Sequence, residues 1–276
     1  MPLIQLIVLA VIQGITEFLP ISSSAHLVLA PLAVDGWSDQ GPLIDIAAHV
    51  GSLGAVLLYF RSETAMLVRG GIDAITFKDT SDRRLFLVLA VATIPIVALA
   101  AVLVPTGVID AMRSPYVIGW ASIGFGVLLW HGDRRRSDRA PAADAIAQVG
   151  WAPALAVGAA QMLALIPGAS RSGVTMTAAR YLGWSRREAA RFSMLLAIPT
   201  ILVLGAVAGL KLVNDGAEAT TQAALVVAGL SFLAAYASIA VLMRMTRSMS
   251  FTPFVIYRLI FGALILFYAE RLAAGG

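Results

Sequence analysis

The sequence predicts an all-α polytopic membrane protein, with about six transmembrane helices and two re-entrant helical hairpins arranged as two inverted-topology repeats. Three observations carry that expectation. Of the 276 residues 59% are hydrophobic and only 13% are charged, and mean hydropathy is +0.85, too apolar for a soluble domain. Apolar runs close to the ~20 residues of a helical span recur along the chain. The basic residues gather in short loops between those runs, a pattern of membrane orientation, so a pI near 9.8 is not read as a nucleic-acid footprint. Cysteine is absent, which excludes a disulfide framework, a thiolate nucleophile and a cysteine metal site.

The elements follow in order. Residues 1–18 are apolar and helix-compatible, without the basic n-region of a secretory leader, and are read as part of the mature chain. Glu17 and Pro20 end that run early, and a second short apolar piece occupies about 25–34. Neither is long enough to cross alone, so residues 1–34 are expected to form a re-entrant hairpin. Asp35 to Pro42 reads as a polar loop. Full spans are expected at 43–60, 85–104 (with a proline kink at Pro95) and 114–131, where Gly119, Gly124 and Gly126 allow close helix contact. Residues 61–84 read as a charged loop. The arginine-rich segment 132–149 is the linker at the midpoint. After it the order repeats: a second hairpin over 150–183, then spans at 187–210, 219–243 and 251–270. The whole is one membrane domain, 1–276, with repeats 1–131 and 150–276.

Charge counting gives an orientation. Loops 61–84, 132–149, 180–191 and 243–250 hold 15 of the 20 Lys and Arg residues, against three on the opposite side (Arg113, Lys211 and Arg271). The positive-inside rule places the first set in the cytoplasm and both termini outside. An odd number of crossings per half inverts one repeat against the other, so the hairpin tips meet near the middle of the bilayer.

Two polar islands interrupt the hydrocarbon-compatible sequence. The first runs from Gln13 through Glu17, Pro20, Ser22, Ser23 and Ser24 to His26; the second is Pro167-Gly-Ala-Ser170-Arg171-Ser172-Gly-Val-Thr175. Charges at such depth need protein or water around them, and an arginine cannot shed its proton to escape. Arg171 therefore requires an anion: either Glu17, in a purely structural clasp, or a phosphate cradled by Arg171, Ser170, Ser172, Thr175 and a helix N-terminus. Gln13 and Glu17 share a helix face. A carboxylate beside a phosphate calls for a divalent cation, Mg²⁺ or Ca²⁺, between them. A serine and a histidine within one turn meet the minimum for hydroxyl activation, though serines after a proline also serve as caps. Asp45 and His49 stand i, i+4 inside the first full span, and Arg258 is expected to snorkel to the interface.

At these islands the sequence resembles the bacterial undecaprenyl-diphosphate phosphatases of the bacitracin-resistance type. That family carries (Glu/Gln)-x-x-x-Glu running into Pro-x-Ser-Ser-x-x-His, and Pro-Gly-x-Ser-Arg-Ser-x-x-Thr in the second half; the match in order and spacing spans essentially the whole chain. The resemblance implies a plasma-membrane enzyme that hydrolyses undecaprenyl diphosphate to undecaprenyl phosphate and inorganic phosphate. That recycles the carrier of peptidoglycan synthesis and confers bacitracin resistance. It also implies a divalent cation and a site open to the outer face. By the same resemblance Glu17 and Gln13 sit at the metal, with Gln13 standing where many members have glutamate. Arg171, Ser170, Ser172 and Thr175, with Ser22 and Ser24, bind the substrate, and Ser23 and His26 are the nucleophile and acid/base, or His26 activates water directly.

Two readings compete with this family assignment. Inverted repeats with broken helices also build secondary transporters and lipid flippases, which need no nucleophile–base pair. The other membrane lipid phosphatase class uses Lys-x₆-Arg-Pro, Pro-Ser-Gly-His and Ser-Arg-x₅-His-x₃-Asp, and none of these occurs here. The expected partners are the polyprenyl diphosphate and membrane lipid, with no nucleic acid; glycine-rich spans would also permit a homodimer.

Overall fold

Helix is the only regular element among the described residues of the computed structural model, which are 3–34, 36–37, 41–135, 149–214 and 221–274. Most of the linker expected over 132–149 lies outside them, including Arg136 and Arg139, as do part of the loop expected at 35–42 and all of residues 215–220.

The first half begins with α1 (Leu3–Thr16) and α2 (Ser23–Ala33), the two short helices expected on either side of Pro20. α3 (Gly41–Tyr59) follows. The expected charged loop 61–84 is instead largely helical. Its first part is α4 (Arg61–Ile75), and α5 (Ser81–Leu103) starts within its last turn, capped by Thr80 Oγ1, which accepts from the Arg83 amide at 3.1 Å. Charge density hid α4 because its polar residues are solvated on one side, while Glu63 and Gly70 are buried on the other. Gly70 lets the α5 backbone approach so closely that a Cβ there would lie 2.1 Å from the Asp82 carbonyl oxygen. A single turn, α6 (Val108–Ala111), leads to α7 (Pro115–Asp133), whose N-cap is Ser114.

The second half begins with α8 (Trp151–Gln161), prolonged by a 3₁₀ turn to Leu165, and α9 (Arg171–Tyr181). Then come α10 (Arg186–Asn214), α11 (Thr221–Met245), α12 (Thr252–Phe267) and the short α13 (Ala269–Ala274). Pro95 and Pro199 lie inside α5 and α10.

By length and apolarity four of the described helices can cross a membrane: 41–59, 81–106, 186–210 and 222–245. The other two expected spans fall short of that measure. α12 has 16 residues, about 24 Å of helix against a hydrocarbon thickness of ~30 Å. α7 is long enough, but glycines, tryptophans and His131 dilute its apolar content.

The halves interlock. α1 and α3 pack on α11, α8 packs on α5, and α7 packs on α12, while α9 is held among α7, α8 and α10. Small residues set these distances, as expected where lipid offers no hydrophobic driving force between helices. A Cβ on Gly51 would sit 2.1 Å from the Ala228 carbonyl oxygen, one on Gly158 2.1 Å from that of Ala92, and one on Gly14 2.5 Å from that of Ser231. Gly119 meets Leu266 and Gly262 of α12, and Gly126 meets Arg258, whereas Gly124 faces open space.

Candidate active site

Each polar island forms a turn between two short helices, and the two turns have the same local chemistry. Ser22 precedes α2 at φ 75° and Ser170 precedes α9 at φ 71°, a left-handed region that non-glycine residues rarely enter. Such backbone persists only where its surroundings over-determine it, and it concentrates at functional sites. The Oγ of Ser22 lies 3.2 Å from that of Ser24, and the Oγ of Ser170 lies 3.1 Å from that of Ser172. Ser170 Oγ also caps α9 by accepting from the Gly173 amide at 3.1 Å.

The turns touch. Ser172 Oγ donates to the Leu19 carbonyl at 2.8 Å, across the two halves. Arg258 completes the clasp. Its side chain is fully buried rather than snorkelling, which corrects the expectation from its place in the last apolar run. Its Nη1 donates to the carbonyls of Pro20 (3.3 Å) and Ala169 (3.0 Å), and its Nη2 to those of Gly168 (2.8 Å) and Ala121 (3.4 Å). Its Nε donates to Ser122 O at 3.1 Å. One guanidinium thus collects the carbonyls that two irregular turns leave unpaired, which hydrocarbon would otherwise penalise by several kcal/mol per group.

At this junction the anionic and cationic islands meet. Glu17 Oε1 accepts from Arg171 Nη2 at 3.2 Å. Glu17 Oε2 accepts from Ser23 Oγ at 2.7 Å and from Gln13 Nε2 at 2.9 Å. The carboxylate side chain is 6% exposed and that of Arg171 12%, so both charges are nearly withdrawn from solvent. Arg171 also donates to Ser193 O at 3.2 Å, and its guanidinium lies over the Phe18 ring. Ser23 is partly exposed and Ser24 exposed, so the site opens on their side.

Two expected members are turned away. Thr175 is fully buried and is bonded to Ser193 Oγ (2.7 Å) and to the Arg171 carbonyl (2.9 Å). His26 has both ring nitrogens engaged elsewhere. Its Nδ1 donates to Ser22 O at 2.7 Å, since a carbonyl can only accept, which leaves Nε2 to accept from Tyr257 Oη at 2.5 Å. Its ring stacks on Phe261 at 4.3 Å. Ser23 Oγ is bonded to Glu17, so the serine–histidine pair expected from proximity in sequence is replaced by a serine–carboxylate pair.

One residue joins that was not assigned a role from the sequence. His49 Nε2 lies 3.8 Å from Glu17 Oε2, and its Nδ1 donates to the Asp45 carbonyl at 2.8 Å. The signal in the sequence was its position inside an apolar span, but the partner, 32 residues away on another helix, cannot be read from local spacing.

Residues 6–264 match the family model described as bacitracin resistance protein BacA. The chain belongs to that family. Among its curated relatives, a protein of Maricaulis maris named undecaprenyl-diphosphatase is 50% identical over 272 residues, covering 97% of this chain and 100% of the relative. One of Roseobacter denitrificans with the same name is 45% identical, covering 98% and 99%. A third, from Stutzerimonas stutzeri, is named undecaprenyl-diphosphatase 2 and is 46% identical over 96% of this chain and 98% of its own length.

Proposed function

We infer that the chain is an undecaprenyl-diphosphatase, a multi-pass membrane hydrolase that releases inorganic phosphate from undecaprenyl diphosphate. The transporter and flippase reading is not favoured. The observation that supports the chemistry is the shared carboxylate: one oxygen of Glu17 accepts the Ser23 hydroxyl proton while the other faces Arg171.

In this reading Glu17 is the general base. It takes the proton of Ser23 Oγ as that oxygen attacks the terminal phosphorus, and the bond from phosphorus to the bridging oxygen breaks, leaving undecaprenyl phosphate. Glu17 passes that proton to the departing undecaprenyl phosphate oxygen. Water then attacks the phosphoserine, giving a proton to Glu17, which returns it to Ser23 Oγ as the phosphorus–Oγ bond breaks and inorganic phosphate leaves. Arg171 turns from Glu17 to the incoming diphosphate, with Ser24, Ser22 and the α9 turn at Ser170 and Ser172 completing the oxygen-facing donors; Thr175 supports Arg171 from behind. Phosphoryl transfer needs charge neutralisation and in-line placement above all, and this donor set supplies both. His26 holds the Ser22 turn against α12 and is a positioning residue.

The donor set also fits a hard divalent cation, Mg²⁺ or Ca²⁺. Gln13 Oε1 is buried with no hydrogen-bond partner, beside the Glu17 carboxylate, and oxygen donors of this kind suit both ions. Gln13 and Glu17 would hold the ion, which neutralises diphosphate charge when bound. The inverted repeat is supported by the matching Ser22 and Ser170 turns and by the exchange in packing, α1 on α11 and α8 on α5. The charge distribution supports a site open to the outer face and termini outside the cytoplasm. Homodimerisation would use glycines that face open space, such as Gly124, rather than those engaged within the chain.

Purified protein tests the chemistry. Glu17→Gln keeps the size of the side chain and should lower phosphate release by roughly 10²–10⁴-fold, the usual weight of a general base. Ser23→Ala should fall at least as far, and rapid quench should trap phosphate on Ser23 in the parent enzyme. Turnover by Ser23→Ala at near-parent rate would assign the attack to water instead.

A further inference from the structure

The end of the bundle opposite the α9 turn holds a second polar cluster that the hydrolytic reading does not use. α9 starts at Arg171 in the active site and reaches Arg180 nine residues later, about 13 Å along the helix axis. There a pocket of about 470 Å³ is lined by Asp133, Arg134, Arg135, Arg180, Arg186 and Thr246, with Ser185. It gathers the ends of α7, α9 and α11 and the start of α10.

Its charges do not balance. Asp133 is the one carboxylate in the lining, and it is already engaged: Oδ1 lies 2.7 Å from Arg186 Nε and 3.4 Å from Arg180 Nε, and Oδ2 accepts from the Phe251 amide at 2.9 Å. Glu188, on the first turn of α10, is bonded to the Ser185 amide at 2.9 Å. Arg180 is 4% exposed and is also tied to the carbonyls of Asp133, Arg135 and Trp184. Arg134 and Arg135 have no carboxylate partner among the described residues. Each lies over an aromatic ring instead, Arg134 over Trp130 at 4.6 Å and Arg135 over Tyr181 at 5.2 Å. Among the described residues, four guanidiniums thus face one occupied carboxylate.

The aromatic rings fix the depth. Trp130 and Tyr181 are 41% and 37% exposed at the ends of their helices, and such residues mark the level of lipid headgroups. A basic pocket between transmembrane helices at that level attracts anionic headgroups, and arginine forks match phosphate oxygens.

We propose that this pocket binds the phosphate group of an anionic lipid headgroup, with Arg134 and Arg135, which have no carboxylate partner among the described residues, as the receiving cations and the Asp133–Arg180–Arg186 cluster as the rigid floor. The site is separate from the hydrolytic centre, and its occupancy is read independently of turnover.

The test uses the full-length protein in nanodiscs of phosphatidylcholine, with fluorescent phosphatidylglycerol as the titrant. Arg134→Gln combined with Arg135→Gln should weaken binding by about 25-fold, near fivefold for each basic residue at the surface. Arg61→Gln combined with Arg84→Gln, the same charge loss on exposed residues elsewhere, should change binding less than threefold. Phosphate release in detergent, unchanged in both variants, shows that each is folded. Equal losses in the two double variants, or no loss in the first, would overturn the site. Inorganic phosphate at millimolar concentration displacing the lipid from the parent protein, but not from the Arg134/Arg135 variant, would assign the pocket to free phosphate and overturn the lipid headgroup.

Discussion

His26 and His49 show how far local spacing carries an assignment and where it stops. Both direct Nδ1 at a carbonyl four residues earlier, which fixes Nε2 as the nitrogen available to a partner. For His26 that partner is Tyr257, on α12; for His49 it is Glu17, in the turn after α1. Proximity in sequence favoured His26 as the base for Ser23, but a ring three residues along a helix can point anywhere its stacking partners draw it, here toward Phe261. The positioning reading makes a specific forecast. His26→Ala and Tyr257→Phe should each lower kcat, and the double variant should be no slower than the worse single, because both remove one contact. Additive losses would return His26 to a direct part in the reaction. The pairing of Glu17 with Arg171, by contrast, was one of the two partnerships legible in the sequence, since each charge in an apolar run needs the other or a ligand.

Two kinds of contact join the helices, and they differ in what a substitution does. Arg258 makes five hydrogen bonds to carbonyls, three of them on the turns at Pro20 and at Gly168 and Ala169. Arg258→Met should cost about 3 kcal/mol or more, the usual result of removing a buried charged partner, read as a large drop in the thermal midpoint in detergent. Arg258→Lys should recover little of it, since a point charge with three donors cannot span both turns. Snorkelling was the natural reading from sequence because neither the carbonyl ring around Arg258 nor its burial leaves any local signal. The glycines were visible, but not which of them mattered. Gly51→Ala drives a Cβ to 2.1 Å from Ala228 O, so α3 and α11 must separate and the midpoint should fall sharply. Gly124→Ala meets open space and should raise stability by up to ~1 kcal/mol through helix propensity. A reversed order would mean that the α3–α11 seam is not the tight one.

The short helices flanking each polar island, the position of both turns and four of the six expected spans were readable because polar groups and prolines stand out against hydrocarbon-compatible sequence. The helix at 61–75 was not, because a helix lying outside the spans carries charge as a loop does. Its burial of Glu63 against Arg191 Nε at 2.9 Å depends on a partner more than 120 residues away. Orientation across the bilayer is the remaining consequence of the charge pattern, and the absence of cysteine makes the parent chain a ready background for testing it. Single cysteines replacing the exposed Thr106 and Glu270 should react with a membrane-impermeant maleimide in intact cells. Those replacing the exposed Arg61 and Ser248 should react only after permeabilisation. That split is what the positive-inside rule expects of fifteen basic residues in one set of loops against three in the other. If Thr106 and Ser248 labelled from the same side, α7 through α11 would have to cross an even number of times between them. The odd count per half, and with it the inverted relation of the two hairpins, would then be lost.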